Sequence, residues 1–286
     1  MTPAQLAELK ARGDSVQELT TARRNPRSNR VFRIWSERSS VILKVYGTSG
    51  HERRERHALH ALRGIPGTPV VLDEGVDEDM HWALFEDAGQ WNLASLPENT
   101  GLAHQAGRLL RAIHSVDPVA FSNLPRGIDQ AWVSVDFIST IRRLERYRGR
   151  LGISSDLIEA AGRVRPPFAS PPRIAHTDPV PNHFLVDNAG TVTLVSWQWS
   201  TLAPPEWDLS RALWLIGLRA GPATAGALAA GYGVQLDAAQ LDRWTVYHAS
   251  MMLVAETEHR LSGRLDDLSF VVAELQRAVT AARGAA

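Results

Sequence analysis

The chain runs to 286 residues, 44% of them hydrophobic and 22% charged, so it has the apolar content to bury a core and global disorder is excluded. Its 31 Lys and Arg balance its 31 Asp and Glu, which removes a generic basic surface for nucleic acid or acidic membrane. It has no cysteine, which excludes disulfides, thiolate catalysis and Cys-based zinc sites.

A helix is expected over residues 2–12, stopped by Gly13. This start lacks the basic and apolar regions of a signal peptide, and no uninterrupted apolar run reaches the roughly 18 residues that span a bilayer. The chain reads as a cytoplasmic protein with neither a nucleic-acid nor a membrane partner. Strand patterns follow over 16–21, 29–35 and 40–46, then a helix over 52–63, then strands over 70–72 and 81–86 joined by an acidic turn at 73–79. Asp87-Ala88-Gly89-Gln90 reads as a crossing, with Gly89 as the flexible point. Beyond it, Leu102, Ala106, Leu109, Leu110 and Ile113 form a helical stripe. Further helices are expected over 131–148, 155–164, 207–218, 223–230, 237–259 and 265–282, with a short hairpin around residues 184–197. The fold class is α+β: a small antiparallel β lobe over residues 1–87 and a larger, mainly helical lobe over 88–286.

Of the 31 basic residues only Lys10 and Lys44 are lysines, so a lysine kept inside a strand is informative. A strand lysine is ordinarily an exposed face residue. A compact ammonium is also what meets a phosphate as a point charge. Glu55 lies on the following helix one turn before Leu59, the better placed of two candidate partners, Glu52 being the other. Further on, His176-Thr177-Asp178 precedes the apolar run Phe184-Leu185-Val186, the layout of a catalytic loop entering a hairpin. Phosphoryl transfer needs positioned phosphates, neutralised charge and an Asp beside the acceptor hydroxyl. A lone loop Asp is more often solvated, and a lone His more often packed; the spacing is what lifts Asp178 and His176 above that reading.

These segments together resemble the aminoglycoside phosphotransferase and choline kinase-like family, which has a two-lobed protein-kinase-like fold. The resemblance covers nearly the whole chain. Residues 28–34 are similar to its second strand, 41–45 to its lysine strand, 54–59 to its glutamate helix and 109–114 to its first large-lobe helix. His176-Thr177-Asp178 matches its catalytic loop, and Asp208, within Pro205-Glu206-Trp207-Asp208-Leu209, the Asp that braces that loop. The resemblance implies ATP or GTP with Mg2+. It implies Asp178 as base beside His176, Lys44 and Glu55 on the phosphates, and Ser28, Asn29 and Glu86 on the nucleotide side.

The metal side departs from the pattern. The family's metal-binding Asn falls on His183, with Asn182 one place early, and its metal-binding Asp falls on Ser196. Magnesium prefers anionic oxygens in near-octahedral geometry. No glycine lies between Gly13 and Gly47, where a phosphate-hugging loop would use one. Arg23, Arg24 and Arg27 stand there instead, as a solvated basic turn or as an anion grip. Two functions stay open. One is an ATP-dependent phosphotransferase acting on a hydroxyl of a small molecule or natural product. The other is a pseudokinase that binds a peptide or partner enzyme in a biosynthetic pathway. Most tryptophans read as core, with Trp199 and Trp207 also placed to line an acceptor pocket.

Overall fold

Alternating side chains build the first part of the chain into a sheet. The computed structural model describes residues 15–20, 28–36, 39–77, 79–96, 98–121, 127–167, 170–233, 237–259 and 268–284. Within them β1 (Ser15–Glu18), β2 (Arg30–Trp35), β3 (Ser40–Val45), β4 (Val71–Asp77) and β5 (Met80–Glu86) form an antiparallel sheet in the order β1-β2-β3-β5-β4. Its register sets Val31 opposite Lys44, Arg33 opposite Ile42, and Lys44 and Ile42 opposite Ala83 and Phe85. Directly opposed residues share a face. Lys44 and Arg33 therefore stand on the same side of the sheet.

The acidic stretch expected as a turn at 73–79 is mostly strand: β4 continues to Asp77, with an irregularity between Val71 and Asp73. β4 is an edge strand, so its carboxylates stay in water while its backbone pairs with β5. The helix expected over 2–12 and the arginines at 23, 24 and 27 lie outside the described residues.

Helix α1 (Ser49–Ala61) starts where the Thr48 side chain accepts the His51 N–H at 3.2 Å, and it buries Glu55, Ala58 and Leu59. After β5 the chain crosses at 87–90 against β8 (Phe184–Val186). Gly89 has φ +114°, and a Cβ there would stand 2.2 Å from the Val186 carbonyl oxygen, so only glycine fits this crossing. β6 (Trp91–Asn92), β8 and β9 (Val192–Leu194) form one small sheet, and β7 (Arg173–Ala175) pairs with β10 (Thr201–Ala203).

The remaining elements are α2 (Thr100–His114), α3 (Gln130–Leu151), α4 (Ser155–Arg163), α5 (Pro205–Tyr232), α6 (Ala238–His259) and α7 (Ser269–Gly284). The apolar stripe of α2 is fully buried, as its spacing predicts. Its Gly107 lets α5 approach so closely that a Cβ would meet the Leu228 carbonyl oxygen at 2.0 Å. The helices expected over 207–218 and 223–230 are joined as α5, which breaks at Gly221 (φ 81°, ψ 173°) ahead of Pro222. α5 is long and apolar enough by composition to cross a membrane, but Trp207, Leu213, Trp214 and Leu228 on it are buried in the protein's own core. One apolar cluster joins α1, α2, β8 and β9; a second joins α3, α6 and α7.

Candidate active site

Lys44 Nζ lies 2.6 Å from Glu55 Oε2, and the two side chains are 7% and 3% exposed. Removing either partner would strand a buried charge, which is where such a pair exerts its leverage. Both are tied further to one segment. Lys44 Nζ donates to Gln198 Oε1 at 2.7 Å, and Glu55 Oε1 accepts the Trp197 N–H at 2.8 Å. That segment opens at Ser196, whose φ of 75° is left-handed, and Ser196 lines the cleft between the lobes where the metal-binding Asp was expected.

The loop after β7 is held from below by Asp208, on the first turn of α5. Its fully buried carboxylate accepts the His176 N–H on Oδ2 at 2.7 Å and the Thr177 N–H on Oδ1 at 2.8 Å. His114 Nε2 stands 3.2 Å from Oδ2, with its Nδ1 2.8 Å from the Tyr232 hydroxyl. These bonds hold Thr177 at φ 69°, a conformation a β-branched residue rarely adopts. Thr177 also donates from Oγ1 to the Trp199 carbonyl at 2.9 Å and accepts the Trp207 indole N–H at 3.0 Å.

His176 is fully buried. Its Nε2 donates to the Val195 carbonyl at 2.8 Å, which leaves Nδ1 to accept the Asp178 N–H at 3.2 Å. Burial, and secondly His183, pull its pKa from 6.5 down to about 4. It is a neutral ring fixing the backbone of Asp178, not a group facing the cleft. Burial likewise holds His248 well below 6.5. Both are depressed below their unfolded value, so the unfolded chain takes up these protons first. The stability they contribute is full above about pH 6.5 and falls as pH drops below it, for His176 down to about pH 4, at about 1.4 kcal/mol per pH unit. Melting temperature is expected to drop steadily between pH 7 and 5 in circular-dichroism melts; a flat or rising profile would contradict this.

The Asp178 side chain is 30% exposed, and Arg211 Nε and Nη2 both donate to its Oδ1, at 2.8 and 2.5 Å. Burial would raise this carboxyl, but Arg211 and then His183 outweigh it and hold it below the usual value. His183 Nδ1 donates to the Asp178 carbonyl at 2.8 Å, and Asn182 is exposed. Asn29 Oδ1 accepts the Gly47 N–H at 3.0 Å, clipping the end of β3; Ser28 is exposed. Glu86 lines the inter-lobe cleft.

Two cavities flank these residues. The inter-lobe cavity, bounded by Val31, Ile42, Lys44, Phe85 and Ser196, has a volume of about 110 Å³. Arg33, 8% exposed, lines it beside the hinge. Its Nη2 donates to the Gly89 carbonyl at 2.6 Å and to Asp87 Oδ1 at 2.9 Å, and its Nε lies 2.7 Å from Asp87 Oδ2. The second cavity, about 540 Å³, is walled by Asp178, Arg211, Trp132, Trp199, Trp207 and Met251 of the helical lobe, with Arg54 of α1 at its side. Small-molecule pockets hold about 300–1,000 Å³. The second cavity falls in that range; the first, lined by Arg33, is smaller.

The donors do not suit magnesium. Ser196 is neutral, Glu55 is committed to Lys44 and Asp178 to Arg211. No group of three or more His, Asp or Glu side chains among the described residues could hold a metal ion. Of the residues named from sequence, Lys44, Glu55 and Ser196 meet at the inter-lobe cleft, and Asp178 faces the second cavity. Arg33, Gln198, Arg211 and Trp132 were not foreseen. Arg33 could have been read from its alternation with Val31, and Arg211 from its position one turn after Asp208.

A family model described as "Phosphotransferase enzyme family" matches residues 20–245. No curated protein matches the sequence. Among solved structures, the apo form of a thermostable mutant of aminoglycoside phosphotransferase APH(4)-Ia is similar at TM-score 0.71 and 17% identity, over 94% of this chain and 95% of that one. Spectinomycin phosphotransferase APH(9)-Ia, in complex with ADP and spectinomycin, is similar at TM-score 0.68 and 16% identity, over 99% and 98%. A choline/ethanolamine kinase family protein from Mesorhizobium loti is similar at TM-score 0.60 and 19% identity, over 93% and 87%. At these identities the likeness is one of fold.

Proposed function

The chain belongs to the phosphotransferase enzyme family, and from that premise we propose that it moves the terminal phosphoryl group of ATP or GTP to a hydroxyl of a small molecule held in the tryptophan-walled cavity. The observation that carries this reading is Asp178, which faces that cavity from a loop braced by Asp208. Arg211 takes only Oδ1, so Oδ2, which has His183 Nδ1 at 3.8 Å and no hydrogen bond among the described residues, is left to receive the acceptor proton. In the step, the acceptor oxygen bonds to the terminal phosphorus, the bond to the nucleoside diphosphate breaks, and the hydroxyl proton passes to Asp178. Arg211 keeps the carboxylate ionised and oriented, which suits a loose transition state that asks more for positioning than for a strong base. Lys44, held by Glu55 and Gln198, is the cation for the phosphates.

A second reading, a pseudokinase that binds without transfer, is favoured by the neutral Ser196 and by His183 at the metal side. The test is transfer from γ-labelled ATP and GTP to hydroxylated acceptors by three forms of the chain. Turnover by the native protein that falls at least ~100-fold in Asp178→Asn supports the enzyme. A rise in the Ser196→Asp, His183→Asn pair marks a weakened one. No transfer by either the native chain or the pair supports the second reading.

A further inference from the structure

The walls of the larger cavity carry more information than its volume. Trp132 is 38% exposed and Trp199 is 49% exposed, and both face this one space. Large indoles left in water around one cavity, beside Met251 and Met252, form an apolar surface of the kind that marks a binding site. Both walls are fixed relative to Asp178. Trp207, which lies 6.1 Å from Trp132 between ring centroids, donates to the Thr177 carbonyl, and Thr177 donates to the carbonyl of Trp199. A ring lying on these indoles is therefore registered against the catalytic loop.

The charges on the same walls decide what kind of ring. Arg54 and Arg211 are set against Asp178 and Glu256, with His259 beside them, so the carboxylates hold no surplus. Asp178 is already neutralised by Arg211. A ligand with several ammonium groups needs an excess of negative charge, and these walls set two guanidinium groups against their two carboxylates, so no such excess is offered.

We propose that the acceptor is a flat, largely apolar, hydroxylated ring system, uncharged or singly anionic, stacked on Trp132 and Trp199, and not a polycationic aminosugar. The word acceptor rests on the phosphotransferase reading; the binding itself does not. Isothermal titration calorimetry of the full chain without nucleotide therefore separates the two. The probes are naringenin, emodin and 1-naphthol as flat hydroxylated rings, kanamycin as the polycation and choline as a monocation. At least one flat ring is expected to bind more tightly than kanamycin and choline. Trp132→Ala and Trp199→Ala should each weaken it by roughly three- to tenfold, the range for an aromatic contact. Both indoles are partly exposed, and unchanged melting temperatures of the variants will verify that the fold is kept. Tighter binding of kanamycin or choline, no binding by any flat ring, or affinity unmoved by both substitutions overturns the proposal. Binding of a flat ring, with no transfer to any acceptor by either the native chain or the Ser196→Asp, His183→Asn pair, leaves the binding standing and removes the phosphotransferase reading.

Discussion

Asp208→Ala is expected to cost about 3–5 kcal/mol of folding stability, the largest effect of any single substitution near the site. The carboxylate is fully buried and accepts two backbone N–H groups and approaches His114. Truncation orphans the N–H groups of His176 and Thr177, at about 1–3 kcal/mol each. It also frees Thr177 from its left-handed conformation, which returns part of that cost as the loop relaxes. Relaxation is the damaging part for function, because Thr177 fastens the loop to Trp199 and Trp207. Against a typical total of about 5–15 kcal/mol, the variant sits near the edge of folding. Urea titration followed by tryptophan fluorescence measures the loss. Asp208→Asn keeps one accepting oxygen but turns an amide donor toward a backbone donor, so it should fall between the native chain and the alanine variant. A midpoint for Asp208→Ala within error of the native one would mean that the brace does not hold the loop.

The Lys44–Glu55 pair was legible from sequence, because a lysine inside a strand is followed on the next helix by a glutamate one turn before Leu59. The Asp208 brace was legible only through the family resemblance, since β8, β9 and β10 separate it from the loop it holds. Lysine scarcity added to the signal at Lys44. What was not legible depends on how the lobes close. Gln198 reaches Lys44 across 154 residues, and Arg33 reaches Asp87 across 54. Alternation with Val31 gives the face of Arg33, but no periodicity announces the Asp87 it reaches or the Gln198 that reaches Lys44. The acidic stretch at 73–79 misled for a related reason. Composition points to a turn, while an edge strand tolerates the same charges because one side of it stays wet. The two cavity volumes follow from which side chains fill which space, so sequence could place the metal-side departures at His183 and Ser196 but not the small volume of the inter-lobe cavity.

Arg33→Ala is expected to lower stability and raise nucleotide affinity together, an opposed pair of effects that few substitutions produce. The ion pair is 10% and 9% exposed, so losing the guanidinium leaves Asp87 largely buried. Its carboxylate keeps the Ser40 hydroxyl at 2.7 Å and the Gly89 N–H at 3.1 Å, which holds the cost toward the lower end of about 3–5 kcal/mol. In exchange, the Gly89 carbonyl is released and the cavity of about 110 Å³ opens along the length of the missing side chain, toward Lys44. A nucleotide at 100 times its dissociation constant then adds about 2.7 kcal/mol. Thermal-shift titration with ATP and GTP should start lower for Arg33→Ala than for the native chain and climb further. Equal climbs would show that Arg33 swings aside without difficulty and that the cleft is not closed by it. A larger climb with no gain in transfer would separate two deficits that the native chain combines, entry at Arg33 and charge at Ser196 and His183. The substitutions at those last two positions would then raise turnover further in the Arg33→Ala background than in the native one.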